Sequence, residues 1–145
     1  MKNRFLVLVS IAILLLFSAC SSSKEAVQES SSKEKVNLII DYSFAGIENG
    51  FDHQIKLEAF ADSLKIGETT PHLQSEAKTV SFEIDKGKHK VNLTVWVNYN
   101  GSWEEHIKSK DYAIDAVYET ESEFNSDQSI KLLFDLDKGA IREYN

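Results

Sequence analysis

The stretch from Val36 to Asn145 predicts an all-β fold, an antiparallel β-sandwich of about seven strands. Apolar and polar residues alternate with a period of two in run after run, each run is short, and turn residues separate them. About 110 residues suffice for one domain of ordinary size and are too few for two. Glycine is sparse and proline occurs once, at Pro71, so the segment is neither collagen-like nor of low complexity.

The strands follow in order. Val36, Leu38, Ile40, Tyr42 and Phe44 alternate with Asn37, Ile39, Asp41 and Ser43, the pattern of a strand with one buried face. Ile55, Leu57, Ala59 and Ala61 repeat it, and Val80, Phe82 and Ile84 do so again. The longest run is Val91, Leu93, Val95, Val97 and Tyr99. Ile130, Leu132, Phe134 and Leu136 form a late strand, and Ala140 to Tyr144 a short final one. The segment from Tyr112 to Phe124 carries both a strand pattern and a helical one; its β-branched and aromatic content favours strand. Asp85-Lys86-Gly87-Lys88, Asn100-Gly101 and Asp137-Lys138-Gly139 carry turn chemistry.

Ahead of this domain stand two segments of different character. Residues 1–19 have a positive start in Lys2 and Arg4, an apolar stretch from Phe5 to Phe17 interrupted only by Ser10, and the small residues Ser18 and Ala19 before Cys20. That is the layout of a cleavable export signal, and its apolar stretch is well short of the ~20 residues that span a bilayer. It resembles the signal peptide of bacterial lipoproteins, with Phe17 where leucine is usual. The resemblance implies that Cys20 is lipidated on its thiol and becomes the first residue of the mature chain. It further implies an extracytoplasmic protein held at the cell membrane or outer membrane by its acyl chains. One such chain binds only reversibly, whereas two or three hold firmly. Residues 20–35, the cysteine and a run rich in Ser, Lys and Glu, bury too little to offset their ordering entropy. They read as a flexible tether of roughly 20 Å r.m.s. length.

Composition narrows the partners. The chain carries a net charge of −7, and Lys2 and Arg4 are the only charges before Cys20, so the exported part is more acidic still. Such a chain repels phosphate backbones, which excludes nucleic acid as a natural partner. The expected partners are the membrane, through the lipid on Cys20, and an envelope protein or a glycan. With its only cysteine assigned to lipid, the domain has no disulfide and depends on its core.

A second, local resemblance concerns the fold. Leu64-Lys65-Ile66-Gly67, the strand from Val80 to Ile84 and Gly87-Lys88-His89-Lys90-Val91 are similar to small Ig-like or transthyretin-like repeats of bacterial surface proteins. The likeness covers about 35 residues and implies a sandwich with a binding or spacer role. No catalytic residue comes with it.

No motif points to catalysis, a metal or a cofactor. His53, His72, His89 and His106 lack a second ligand at metal spacing, and read as surface histidines beside charge. No serine sits in a nucleophile elbow. Carboxylate pairs such as Glu104-Glu105 are too common in so acidic a chain to mark a site. Asp135, Asp137 and Glu143 do not match calcium-loop spacing and read as a hairpin with solvated carboxylates. Trp96 stands out, because it falls on the polar side of its strand with Asn92, Thr94 and Asn98. A large aromatic facing outward there, with Trp103 beyond the Asn100-Gly101 turn, suits sugar stacking or protein contact. The candidate ligand-binding set is therefore Trp96, Trp103, Asn98 and Tyr99. The competing reading places a second layer over Trp96.

Overall fold

A computed structural model describes residues 33–144 of the chain. The predicted signal, Cys20 and all but the last three residues of the tether lie outside the described residues. Ten strands follow in order: β1 (Lys35–Ala45), β2 (Gln54–Ala61), β3 (Leu64–Glu68), β4 (His72–Leu73), β5 (Lys78–Asp85), β6 (Gly87–Tyr99), β7 (Ser102–Glu105), β8 (Val117–Phe124), β9 (Gln128–Asp135) and β10 (Ala140–Glu143). One sheet has the order β10-β9-β1-β5; the other is built on β2 and β6. The two pack as the predicted sandwich.

Ten strands rather than about seven arise because long strands are flanked by short ones in tandem. Antiparallel β3 and β4 share one side of β2, while β7 and β8 share one side of β6. All but one of the pairings are antiparallel. The exception is β1 with β9, parallel from Leu38↔Gln128 to Ala45↔Asp135. The Asp85-Lys86-Gly87 turn also differs from a hairpin: it carries the chain from β5 in one sheet to β6 in the other. The predicted strand over Tyr112 to Phe124 forms only from Val117. Before it, the chain leaves β6 in a loop pinched at its base, where Val95 N–H donates to Ala116 O (3.0 Å) and His106 N–H to Val95 O (2.9 Å). Ile114 in that loop is buried in the core, so its apolar character serves packing rather than strand pairing.

The period-two pattern explains the core. Val36, Leu38, Ile40 and Tyr42 of β1 and Ile130, Leu132 and Phe134 of β9 face Ile55, Leu57 and Ala59 of β2 and Val91, Leu93, Val95 and Val97 of β6. Full burial of each larger aliphatic side chain is worth about 1.5–3 kcal/mol. Tyr42 enters this layer with its hydroxyl satisfied at His72 Nε2 (3.0 Å), and burial pushes its pKa up to about 12. His72 Nδ1 lies 3.0 Å from Thr70 O, which can only accept, so Nδ1 carries the proton and Nε2 takes that of Tyr42. This pair ties β4 to β1.

Turns without glycine reveal another device. Asp62 and Ser63, between β2 and β3, both have positive φ (49° and 71°), the backbone of a tight hairpin turn. Asp62 makes it tolerable by accepting from Lys90 N–H (3.0 Å) and from His89 Nδ1 (2.6 Å), which locks the turn to β6. Along one side of the sandwich β3 meets β5. A Cβ added to Gly67 would lie 2.5 Å from the Phe82 ring. Gly67→Ala is accordingly expected to lower stability by about 1–3 kcal/mol through overpacking. Thermal denaturation checks this, and adding Phe82→Leu restores part of the loss; an unchanged melting temperature would contradict the close packing.

Candidate functional site

Two places on the domain gather chemistry. The first is the outer face of the sheet built on β2 and β6. Register puts Lys56, Trp96 and Glu105 in one cross-strand row, Asn98 and Trp103 in the next, and Glu58 and Thr94 on the other side. Trp96 thus faces away from the core, as its parity predicts, and no second layer among the described residues covers it. It is nonetheless only partly exposed, since the Lys56 ammonium lies 6.0 Å from the Trp96 ring centroid and 5.5 Å from that of Trp103. Cation and indole faces attract at this range.

A four-member ion cluster holds Lys56 there. It pairs with Glu58 (2.9 Å) and Glu68 (3.0 Å), and Lys65 completes the cycle with Glu58 (2.9 Å) and Glu68 (2.6 Å). Lys65 and then Lys56 hold the Glu68 carboxyl down to about 2, and Glu58 foremost raises the Lys56 pKa. Beside Trp96 lies a shallow cavity of about 350 Å³ bounded by Phe60, Asn92, Glu105 and Glu119. The indole Nε1 of Trp96 is buried and without a hydrogen-bond partner among the described residues.

The candidate set divides here. Trp96, Asn98 and Trp103 share the outer face, whereas Tyr99, one residue along, points to the opposite side. Tyr99 is 52% exposed at the end of β6, edge-on to His53 with ring centroids 6.1 Å apart. Asn98 spends its side-chain oxygen on Gly101 N–H (3.0 Å), capping the Asn100-Gly101 turn.

The second place is the pole of the sandwich where β1 ends, opposite the pole at which the chain enters it. Four connections meet there around a cleft of about 440 Å³: the β1–β2 loop, the segment after β4, the β7–β8 loop and the β9–β10 turn. Gly46, with φ +77°, lets Asp137 lie directly against it; a Cβ would come 2.6 Å from the Asp137 carboxyl carbon. Asp52 fastens the first two connections, accepting from Ser75 N–H (2.9 Å) and Ser75 Oγ (2.7 Å). This clamp sets Gln74, whose side-chain nitrogen reaches His106 Nε2 at 3.4 Å.

His106 and Gln74 are each 2% exposed, and His72 is buried too, so two of the four histidines read as surface groups are interior. The reason is that each finds partners for both ring nitrogens. For His106, Ile114 O is an acceptor 3.3 Å from Nδ1, which therefore holds the proton. The ring stacks on Tyr112 with centroids 4.4 Å apart, and burial pulls its pKa below the usual 6.5. Asp135, expected to be solvated, is buried as well and bound by Arg142. Among the described residues, no three His, Cys, Asp or Glu side chains gather as a metal ion requires. The cleft escaped sequence reasoning because its walls come from four separated segments; the only local signal was the aromatic pair Phe51 and His53.

No family model matches the chain. None of the curated proteins matches it either. Among solved structures, two of pneumolysin are similar at 11% and 12% identity with TM-scores of 0.35 and 0.36, one of them described as a sugar-binding protein. Each likeness covers 77% of this chain, which spans about a quarter of the pneumolysin chain (24% and 23%). A likeness of this order says nothing about function.

His106 makes the cleft pH-sensitive. Its folded pKa lies below the unfolded value, so the unfolded chain binds the proton first. The stability it contributes is complete above about 6.5 and falls as pH drops from there through the folded value. An imidazole NMR titration is expected to place His106 below the unperturbed value, and His106→Gln to flatten the stability profile between pH 6.5 and the folded pKa. A midpoint at or above 6.5 would contradict the buried, neutral ring.

Proposed function

We propose that the chain is a membrane-anchored cell-envelope lipoprotein whose β-sandwich serves as a non-catalytic interaction module. The observation that carries this reading is Cys20, the only cysteine, standing directly after an export signal that ends in Ser18-Ala19. The start of β1 at Lys35, the last residue of the Ser/Lys/Glu segment, supports a tethered domain with its own core. The contact surface in this reading is the outer face of the sheet built on β2 and β6, where Trp96 and Trp103 stand with Lys56 between strands. Tryptophan is among the side chains that contribute most at protein interfaces once a partner buries it.

A second reading, a glycan- or cell-wall-binding lipoprotein, is favoured by the cavity beside Trp96. An indole bounded by Asn92, Glu105 and Glu119 offers a stacking face together with hydrogen-bonding groups.

Growth with alkyne-tagged palmitate tests the anchor. Label is expected on the protein and absent from Cys20→Ala, which should be lost from the membrane fraction; equal labelling of both would end the lipoprotein reading. A photo-crosslinker at Trp103 on intact cells then separates the two binding readings. One reproducible adduct with an envelope protein, lost with Lys56→Glu, supports the module. A saturable change in tryptophan emission with an oligosaccharide, lost in Trp96→Ala, supports the glycan reading.

A further inference from the structure

The chain contains two Asn-Gly pairs, Asn49-Gly50 and Asn100-Gly101, and both are exposed in turns. We propose that Asn49 is a site of spontaneous self-modification, where the folded chain converts asparagine to aspartate and isoaspartate, and that Asn98 protects Asn100 from the same reaction.

The chemistry needs only this chain and water. The Gly50 amide nitrogen gives up its proton and attacks the side-chain carbonyl carbon of Asn49. A C–N bond forms, the side-chain nitrogen leaves as ammonia, and a five-membered succinimide closes. Water then opens the ring at either carbonyl, giving aspartate or an isoaspartate whose main chain runs through the former side chain. Nothing is oxidised or reduced. Glycine after the asparagine favours the reaction, because it has no Cβ to crowd the closing ring.

In a folded chain the attacking N–H must be unengaged, and the backbone must be able to turn toward the side chain. At Asn49 both conditions hold. Gly50 N–H has no hydrogen-bond acceptor among the described residues. The pair sits in the loop between β1, which ends at Ala45, and β2, which begins at Gln54. Locally it is spanned by the bond from Phe51 N–H to Glu48 O (3.0 Å). A Cβ placed on Gly50 would meet nothing within 4 Å, so the ring has room.

Asn100-Gly101 supplies an internal control. Exposure and room are the same, since a Cβ on Gly101 would also meet nothing within 4 Å. There, however, Gly101 N–H donates to Asn98 Oδ1 (3.0 Å), so the nucleophile is engaged. Asn100 is also held at φ 51° between Tyr99 and Ser102, which pair across the hairpin. A hydrogen bond that must break before attack slows the reaction about two- to tenfold, and the paired strands resist rotation besides. The cap therefore spares the turn beside Trp103.

At position 49 either product adds a negative charge, and isoaspartate adds one main-chain atom between Glu48 and Phe51. Phe51 O accepts from His53 N–H (3.1 Å) and His53 O from Gln74 N–H (2.9 Å), so the lengthened turn adjoins the bonds that set one wall of the cleft.

The full chain in detergent micelles is incubated in mildly alkaline buffer, digested with trypsin and followed by mass spectrometry. Lys56 and Lys90 separate the two pairs, which therefore fall on different peptides. The Asn49 peptide is expected to gain the mass difference between an amide and an acid and to accept methyl groups from an isoaspartyl methyltransferase. Asn100 should lag by at least about two- to tenfold, a lag that vanishes when urea opens both turns. Asn98→Ala should speed Asn100 about two- to tenfold and leave Asn49 unchanged. An Asn49 that reacts only in urea, equal rates at the two pairs in the folded chain, or an Asn100 rate unaltered by Asn98→Ala would each overturn the proposal.

Discussion

The domain depends on one apolar layer between β1 and β9 on one side and β2 and β6 on the other. There is no disulfide to share the task, because the chain has a single cysteine outside the domain. Alternation with period two does the work twice over. It delivers Val36, Leu38, Ile40 and Tyr42 of β1 and Val91, Leu93, Val95 and Val97 of β6 to the core, and it leaves the side chains between them free for other uses. The Trp96 face exists only because Val95 and Val97 are fully buried on the other side of the same strand.

That alternation is also what made the fold legible. Each strand of the core was visible as a run of alternating residues, and Asn100-Gly101 marked its hairpin through positive φ at both positions (51° and 86°). The parallel pairing of β1 with β9 was not legible, since no local pattern tells a strand which partner it will have 90 residues away. The Asp62-Ser63 turn was hidden for a different reason. Its left-handed backbone is stabilised by bonds to His89 and Lys90, residues distant in sequence, rather than by a glycine. Tyr112 to Ala116 misled because the same apolar residues that pair in a strand also plug the end of a core.

The candidate site was legible in part. Trp96 faces outward by parity alone, and the same parity sets Tyr99 apart from Asn98 and Trp103, a distinction that proximity along the chain obscures. Burial of His72 and His106 followed from partners that appear only on folding: the Tyr42 hydroxyl for one, the Gln74 amide and the Ile114 carbonyl for the other. The cleft is the least local feature of all. Its acids, rings and amide come from four connections whose meeting is decided by the order of strands.

The position of β1 has a mechanical meaning. It is an interior strand, bonded to β5 from Lys35 to Tyr42 and to β9 from Leu38 to Ala45, and it runs from the pole where the chain enters to the pole that carries the cleft. A pull on the N-terminal segment, resisted by something held at the far pole, acts along this strand and perpendicular to its ladder bonds. Those bonds are then loaded together in shear instead of being opened one after another like a zipper. Loaded in this direction, the domain resists tension between its two ends better than one peeled apart strand by strand.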